Sequence, residues 1–120
     1  MKIAITATNT DINQAFNPRF GRCDYFILVD TETLDWEALA NPAANATGGA
    51  GPQAVKFIAD RGAEAVISGR YGPSAFTALN AAGIKAYIAN DGSVKDVLES
   101  FQADKLNGVN GPTGRGFHGA

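Results

Sequence analysis

Short runs of β-branched residues alternate along this chain with helical segments that begin at proline and end at glycine. Pro52 and Pro73 suit the first position of a helix, where the missing N–H costs no hydrogen bond. Gly62 and Gly83 suit the exits of the same helices. In chain order we predict a strand at 2–7, a hairpin of strands at 25–29 and 34–39, a helix from Pro52, a strand at 63–68, a helix from Pro73, a strand at 84–89 and a helix capped by Ser93.

This order of elements predicts the fold class. Strand–helix–strand units pair their strands in parallel through right-handed crossovers, and the early hairpin adds an antiparallel strand. The sequence therefore predicts an α/β fold with a mixed five-stranded sheet flanked by helices. We place one domain at residues 1–105 and a flexible, glycine-rich tail at 106–120.

The composition disfavours nucleic acid and membranes as partners. Ten basic and twelve acidic residues give a formal net charge of −2, and no basic run is interleaved with aromatic residues. The apolar run at the N-terminus is too short for a signal peptide or a membrane span. A single cysteine forms no intramolecular disulfide, which fits a reducing compartment. We therefore expect a cytoplasmic protein that is a monomer or a weak homodimer.

The single cysteine closes the segment Arg19-Phe20-Gly21-Arg22-Cys23. Nearby positive charge favours the thiolate, the form of cysteine that binds soft metals. Gly21 lets the backbone approach a ligand closely, and the guanidinium groups of Arg19 and Arg22 suit anions. We predict a pocket for an anionic or sulfur-seeking ligand, with Cys23 as a metal ligand. The alternative is that Cys23 is a small buried hydrophobic residue.

Two glycine-rich loops stand directly before predicted helices, Gly48-Gly49-Ala50-Gly51 and Gly69-Arg70-Tyr71-Gly72. Helix N-termini present unpaired N–H groups and the positive end of the helix dipole, which favour an anion. In open sheets of this kind, ligands bind beyond the carboxyl ends of the parallel strands. We therefore predict a cofactor-binding site made of Arg19, Gly21, Arg22, Gly48, Gly49, Gly51, Gly69, Arg70 and Gly72.

Four short motifs follow one another in a specific order. They are Phe20-Gly21-Arg22-Cys23-Asp24-Tyr25-Phe26, then Asn41-Pro42 with Gly48-Gly49-Ala50-Gly51, then Val66-Ile67-Ser68-Gly69 with Gly72-Pro73-Ser74-Ala75-Phe76, and finally Ala82-Gly83-Ile84-Lys85. Together they resemble the dinitrogenase iron–molybdenum cofactor-binding family, which includes NifX, NafY and the C-terminal part of NifB. The resemblance covers roughly residues 1–105.

This resemblance implies a ribonuclease-H-like sheet and the non-catalytic binding or carriage of an iron–sulfur or iron–molybdenum cluster or its precursor. It also implies cluster-assembly or acceptor proteins as partners. The chain departs from the family pattern at two positions where relatives often have histidine, because Arg19 and Thr47 stand there. The sole histidine, His118, lies in the tail, which leaves Cys23 as the one strong soft-metal donor.

One thiolate does not complete a conventional iron–sulfur site, which needs four protein ligands. Two arrangements stay open: Cys23 anchors a preassembled anionic cluster whose charge the arginines compensate, or two chains share one cluster. A metal-dependent nuclease is disfavoured, because the predicted strand ends carry few carboxylates. A second function also stays open, a small-anion or nucleotide-binding regulatory module without metal, although the glycine loop lacks the lysine of a P-loop.

Overall fold

The computed structural model describes residues 1–109 and 111. In chain order the elements are β1 Lys2–Ala7, β2 Tyr25–Asp30, β3 Trp36–Ala40, α1 Ala50–Asp60, β4 Ala65–Ser68, α2 Pro73–Ala82, β5 Lys85–Ile88, α3 Val94–Gln102 and β6 Asn107–Gly108. The strands form one sheet in the order β3-β2-β1-β4-β5-β6. β1, β4 and β5 pair in parallel, whereas β2, β3 and β6 each run antiparallel to a neighbour.

The central strands are apolar on both faces because helices cover both. Ala4 and Val66 belong to the core beneath α1 and α2, which also contains Ala54, Ile58 and Leu79. The alternate residues of the same strands belong to a second core beneath α3. Strands buried on both faces read as continuous hydrophobic runs rather than as an alternating pattern. This explains why the sequence identifies the two central strands so clearly.

The predicted mixed α/β sheet with its early hairpin is confirmed, but the predicted number of strands is wrong. A sixth strand forms because Asn107 and Gly108 pair antiparallel with β5, and the Val109 N–H donates to the Ala86 carbonyl at 2.9 Å. The predicted tail at 106–120 therefore begins with residues that join the sheet. The rest of that prediction, including His118, lies outside the described residues. The ribonuclease-H-like designation stays a prediction.

One edge of the sheet collects most of the connecting loops. β1, β3, β4 and β5 all run in the same direction, so their carboxyl ends lie together. Residues 8–24, 41–49, 69–72 and 89–93 connect at this edge, which we call the carboxyl edge. Among the described residues, the three helices are all too short to cross a bilayer.

Candidate functional site

The first long loop crosses the end of β4 at the carboxyl edge. The Pro18 carbonyl accepts hydrogen bonds from the Gly69 N–H at 3.1 Å and from the Arg70 N–H at 2.8 Å. The Phe20 N–H donates in turn to the Arg70 carbonyl at 3.4 Å. These bonds form a short parallel bridge in which Arg19 lies directly beside Arg70. The two arginines, far apart in the chain, therefore become neighbours.

Arg19 and Arg70 are both exposed, and their charges are available to a ligand. Among residues 1–109 and 111, the ion pairs join the Met1 amino group to Glu32 and Lys56 to Asp60. Neither arginine of the bridge belongs to an ion pair in that part of the chain. Two adjacent cations without a carboxylate partner create a local positive potential on a chain that is negative overall.

Arg22 lies at the same edge but its guanidinium is already engaged. Its Nη1 donates to the Ala46 carbonyl at 2.5 Å and lies 3.3 Å from the Ala44 carbonyl. The side chain is half-buried, and it ties the Arg19–Cys23 segment to the loop that precedes α1. Arg22 therefore has a structural contact that accounts for its presence, and its predicted role toward a ligand stays a prediction.

Three of the predicted ligand-binding glycines are packed against protein. A Cβ at Gly21 would lie 3.0 Å from the Gly51 nitrogen, and a Cβ at Gly51 would lie 2.8 Å from the Ala75 Cβ. A Cβ at Gly69 would lie 2.5 Å from the Pro18 Cβ. Real Cβ atoms essentially never come as close as the contacts at Gly51 and Gly69, and they rarely come as close as the contact at Gly21. These positions therefore favour glycine for the contact between segments. They bring the first loop, α1 and α2 together.

The other three predicted glycines are exposed, and they precede the helices. No heavy atom lies within 4 Å of a Cβ built at Gly48 or Gly72, and Gly49 has a φ of 71°, which favours glycine. Gly49 and Gly72 are the N-caps of α1 and α2, and neither offers a side chain to the first-turn N–H groups. In contrast, α3 begins with a capping box between Ser93 and Asp96. The starts of α1 and α2 thus have no side-chain cap, and the first-turn residue Ser74 is exposed there.

Tyr71 shows how the loop before α2 is anchored. Its ring is fully buried, and its hydroxyl donates to the Tyr87 carbonyl at 2.6 Å. Burial raises the pKa of this phenol far above its ordinary value. Because Tyr71 points inward, its neighbours Arg70 and Gly72 lie on the exposed side of the loop.

Cys23 lies in the core, with 0% of its surface exposed. Its Sγ is 3.7 Å from the Asn41 Nδ2. Burial raises the pKa of the Cys23 thiol to about 12, and hydrogen bonds from Ala7 and Asn41 offset only part of this effect. The expectation that Arg19 and Arg22 favour the thiolate is therefore wrong, because desolvation of the sulfur outweighs any nearby positive charge. Metal ligation by Cys23 stays a prediction, and it requires the surrounding loops to open.

Asn41 was not among the predicted site residues, yet it organises this part of the edge. Its Nδ2 donates to the carbonyls of Gly21 at 3.1 Å and Cys23 at 2.9 Å, while its Oδ1 accepts from the Ala43 N–H at 2.9 Å. The Asn41-Pro42 dipeptide signals a turn, but it does not reveal which segment the amide binds. Asn41 explains how two loops close over the cysteine.

A conventional metal site is absent from residues 1–109 and 111, which contain no group of three or more His, Cys, Asp or Glu side chains placed to hold an ion. The carboxyl edge does offer guanidinium groups at Arg19 and Arg70 and N–H groups at two uncapped helix starts. These groups bind an anion as a whole and do not coordinate a bare metal ion.

Comparison with known proteins gives the family of this chain. The family model described as dinitrogenase iron-molybdenum cofactor matches residues 1–104. The chain belongs to this family. The matched range contains every predicted site residue, and the resemblance drawn from the four motifs is confirmed.

Several proteins are similar to this member of the family along most of their length. The apo form of the orange protein from Desulfovibrio gigas is 34% identical, with a TM-score of 0.90 and coverage of 94% of this chain and 96% of that chain. A Thermotoga protein described as a candidate NifB of the DUF35 family is also 34% identical, with a TM-score of 0.80 and coverage of 89% and 91%. An uncharacterised protein of Methanocaldococcus jannaschii is 33% identical over 109 residues, which is 88% of this chain and 89% of the relative.

Membership associates the family of this chain with the iron–molybdenum cofactor of dinitrogenase. The family fold accounts for the strand order and for the collection of loops at the carboxyl edge.

Proposed function

We propose that this protein binds and carries a preassembled, anionic metallocluster of the iron–sulfur or iron–molybdenum type, or a precursor of one, at the carboxyl edge. The observation that carries the proposal is the adjacency of Arg19 and Arg70, two exposed arginines that belong to no ion pair among the described residues. They lie beside two helix starts that have no side-chain cap.

Physical chemistry supports an anion at this position. Guanidinium groups donate charge-assisted hydrogen bonds, which are stronger than those between neutral groups. Helix N-termini add N–H donors and the positive end of the dipole. Pro52, Pro73 and Ser74 belong to a shallow groove that begins near the starts of α1 and α2 and continues along α2 to Ala81. Metal–sulfide clusters are bulky and carry net negative charge when their ligands are sulfide and thiolate.

The proposed site does not use the Cys23 thiolate while the loops are closed. Sulfur must be deprotonated and accessible to ligate a metal, and here it is neither. A cluster that keeps its own ligands can still dock through charge. Docking without a metal–protein bond is readily reversible, which suits carriage between an assembly protein and an acceptor. We therefore include such proteins among the proposed partners and propose no catalytic step.

A second candidate function is a regulatory module that binds a colourless small anion or a nucleotide. The open helix starts favour it, because they would accept a phosphate as well as a cluster. The two candidates differ in visible absorbance, because a phosphate or a nucleotide is colourless in the visible range and a metal–sulfide cluster is not.

A titration under anaerobic conditions tests the proposal. The probe is a synthetic iron–sulfur cubane capped by thiolates, which is anionic and absorbs visible light. The variants are Arg19→Gln and Arg70→Gln, and the matched control is Arg61→Gln, which removes the same charge at the other end of α1. We expect each site variant to weaken binding by about tenfold or more, because hydrogen bonds to charged groups contribute about 1.5–3 kcal/mol. Equal binding by all four proteins would contradict the proposal.

A further inference from the structure

We propose that Thr6 and Ser68 are positioning residues of the anion site. Their buried hydroxyl groups fix the segment 17–20 in the register that places Arg19 beside Arg70. This inference deepens the proposed function and rests on it, because an anion at the carboxyl edge is what the two arginines would share.

Thr6 holds the segment from the end of β1. Its side chain is 0% exposed, and its Oγ1 is within hydrogen-bonding distance of the Asn17 carbonyl and, at 3.0 Å, of the Ser68 Oγ. The backbone repeats the connection, because the Asn17 N–H donates to the Thr6 carbonyl at 3.1 Å. Side chain and main chain of one strand residue therefore both bind the same loop residue.

Ser68 holds the segment from the end of β4. It is 0% exposed, and its hydroxyl donates to the Pro18 carbonyl at 3.2 Å. The same carbonyl accepts from the backbone of Gly69 and Arg70. Because Gly69 has no Cβ, Pro18 can approach closely enough for these bonds to form. Thr6 and Ser68 thus belong to one buried network that spans two strands.

The network reaches Arg19 through Asn17. The Asn17 Oδ1 accepts from the Arg19 N–H at 2.9 Å, which fixes the turn immediately before the arginine. On the other side of Arg19, the Phe20 N–H binds the Arg70 carbonyl. Arg19 is therefore held on both sides, and one of the two connections depends on the buried hydroxyl groups.

A fixed register changes how an anion binds. Arg70 shares these bonds with the first loop, but its neighbour Tyr71 anchors the loop between β4 and α2 separately, through its hydroxyl bond to the Tyr87 carbonyl. Arg19 keeps its place only while the segment stays docked. Preorganised donors lose less conformational freedom on binding than mobile donors do. Arg19 and Arg70, when both are fixed in place, therefore bind the same anion more tightly than a fixed Arg70 and a mobile Arg19 would. If the segment is released, Arg19 contributes little even though its charge remains.

The test compares the contribution of Arg19 in different backgrounds. The backgrounds are wild type, Thr6→Val, Ser68→Ala, the conservative Thr6→Ser, and Ile58→Val as a core change toward the far end of α1. In each background, Arg19→Gln is introduced and the dissociation constant of the synthetic iron–sulfur cubane is measured at several salt concentrations. Unfolding by urea identifies backgrounds of equal stability. If Thr6→Val does not fold, Ser68→Ala supplies the same comparison.

We expect Arg19→Gln to weaken binding by about tenfold in wild type, Thr6→Ser and Ile58→Val, as for other hydrogen bonds to charged groups. In Thr6→Val and Ser68→Ala the same substitution should change the affinity by less than about threefold, because coupling between neighbouring groups is lost. The dependence of affinity on salt should also become shallower in those two backgrounds. A purely structural role would lower stability without changing the effect of Arg19→Gln.

The experiment distinguishes a failure of the positioning role of Thr6 and Ser68 from a failure of the proposed function. A tenfold effect of Arg19→Gln in every background would overturn the positioning role and leave the proposed function intact. If Arg19→Gln has no effect in wild type, the site itself is overturned, and the positioning role with it.

Discussion

Cys23 and Arg19 are close in the chain and lie in opposite environments. The cysteine is fully buried and its thiol is held neutral, whereas the arginine is exposed and belongs to no ion pair among the described residues. Arg22, between them, donates to carbonyls of the neighbouring loop. At the scale of single residues, burial and existing hydrogen bonds therefore decide which side chains can meet a ligand. They favour Arg19 and Arg70 over Cys23.

The raised pKa of Cys23 predicts a loss of stability at alkaline pH. The thiol has a pKa of about 12 in the folded protein and about 8.5 in an unfolded chain. Its contribution is fully present below the unfolded value and is lost as the pH rises toward the folded value. We expect the urea midpoint of wild type to fall between pH 8.5 and 10.5 relative to that of Cys23→Ala. Identical pH profiles for the two proteins would contradict the assignment.

The same burial predicts slow modification of the sulfur. At pH 8 a disulfide reagent such as dithionitrobenzoate should react with native protein far more slowly than with protein in urea, because the thiolate is the reactive form. Rapid reaction of the native protein would show that the loops around Cys23 open readily. In that case metal ligation by Cys23 would regain its support.

Substitution by alanine should destabilise the protein more at the packed Gly69 than at the exposed Gly72. Gly69→Ala places a Cβ 2.5 Å from the Pro18 Cβ, so we expect a loss of about 1–3 kcal/mol in unfolding free energy, as for other overpacked sites. Gly72→Ala meets no heavy atom within 4 Å and should cost less than about 1 kcal/mol. Urea unfolding of the two variants measures both values. Equal losses would contradict the packing role of Gly69.

At the scale of elements, the three helices begin in two different ways. Ser93 and Asp96 satisfy the first N–H groups of α3, whereas Gly49 and Gly72 leave those of α1 and α2 without a side-chain acceptor. All these starts lie at the carboxyl edge. An anion that binds there competes with any side chain placed as a cap.

Gly72→Asp should therefore weaken cluster binding while the fold keeps its stability. The new carboxylate would cap α2 and favour the helix by about 0.3–1 kcal/mol, but it would also repel an anion and partly neutralise Arg70. Gly72→Asn is the matched control, because it offers a cap without charge. We expect the affinity for the iron–sulfur cubane to fall at least several-fold more for aspartate than for asparagine. The opposite order would contradict an anion at this helix start.

Elements with strong local signals were predictable from the sequence, and β6 was not. Continuous β-branched runs identify the buried strands, and Pro73 with Gly83 bounds α2 closely. Asn107 and Gly108 carry no strand pattern, and they pair because the edge of β5 is available to them. Their conformation follows from tertiary contacts rather than from local preference.

The candidate site was predictable only in part, for the same reason. Arg19, Arg70 and the open glycines can be read from local motifs and from the rule that places ligands at strand ends. The long-range bonds of Thr6 and Ser68 to the first loop leave no local signal, because their partners are distant in sequence. The burial of Cys23 likewise depends on how two loops close over it, which its neighbours in the sequence do not reveal.

On the scale of the whole molecule, an acidic hairpin turn lies at the edge of the sheet opposite to the two arginines of the candidate site. The hairpin turn between β2 and β3 carries Asp30, Glu32 and Asp35 at the edge opposite to Arg19 and Arg70. The net charge of −2 therefore hides a local positive site. Hydrogen bonds from Glu32 and Thr33 also hold the pKa of Asp30 below its usual value, which keeps the hairpin acidic.

The local positive site at Arg19 and Arg70 predicts that cluster affinity depends on salt although the protein is acidic. Screening shortens the range of exposed charges to about 8 Å at physiological ionic strength, so added salt should weaken binding at the arginines. Glu32→Gln changes the net charge by as much as one arginine substitution, but it should leave the affinity almost unchanged. A Glu32→Gln effect as large as that of Arg19→Gln would indicate that net charge, rather than a local site, controls binding.

Anaerobic loading with the preassembled, thiolate-capped iron–sulfur cubane decides between docking through charge and ligation by the Cys23 sulfur. Visible absorbance and metal content per chain are measured for wild type, Cys23→Ser and the double variant Arg19→Gln/Arg70→Gln. Docking through charge predicts stoichiometric loading of wild type and Cys23→Ser and little loading of the double arginine variant. Loading that disappears in Cys23→Ser but persists in the arginine variant would contradict it, as would negligible loading of wild type.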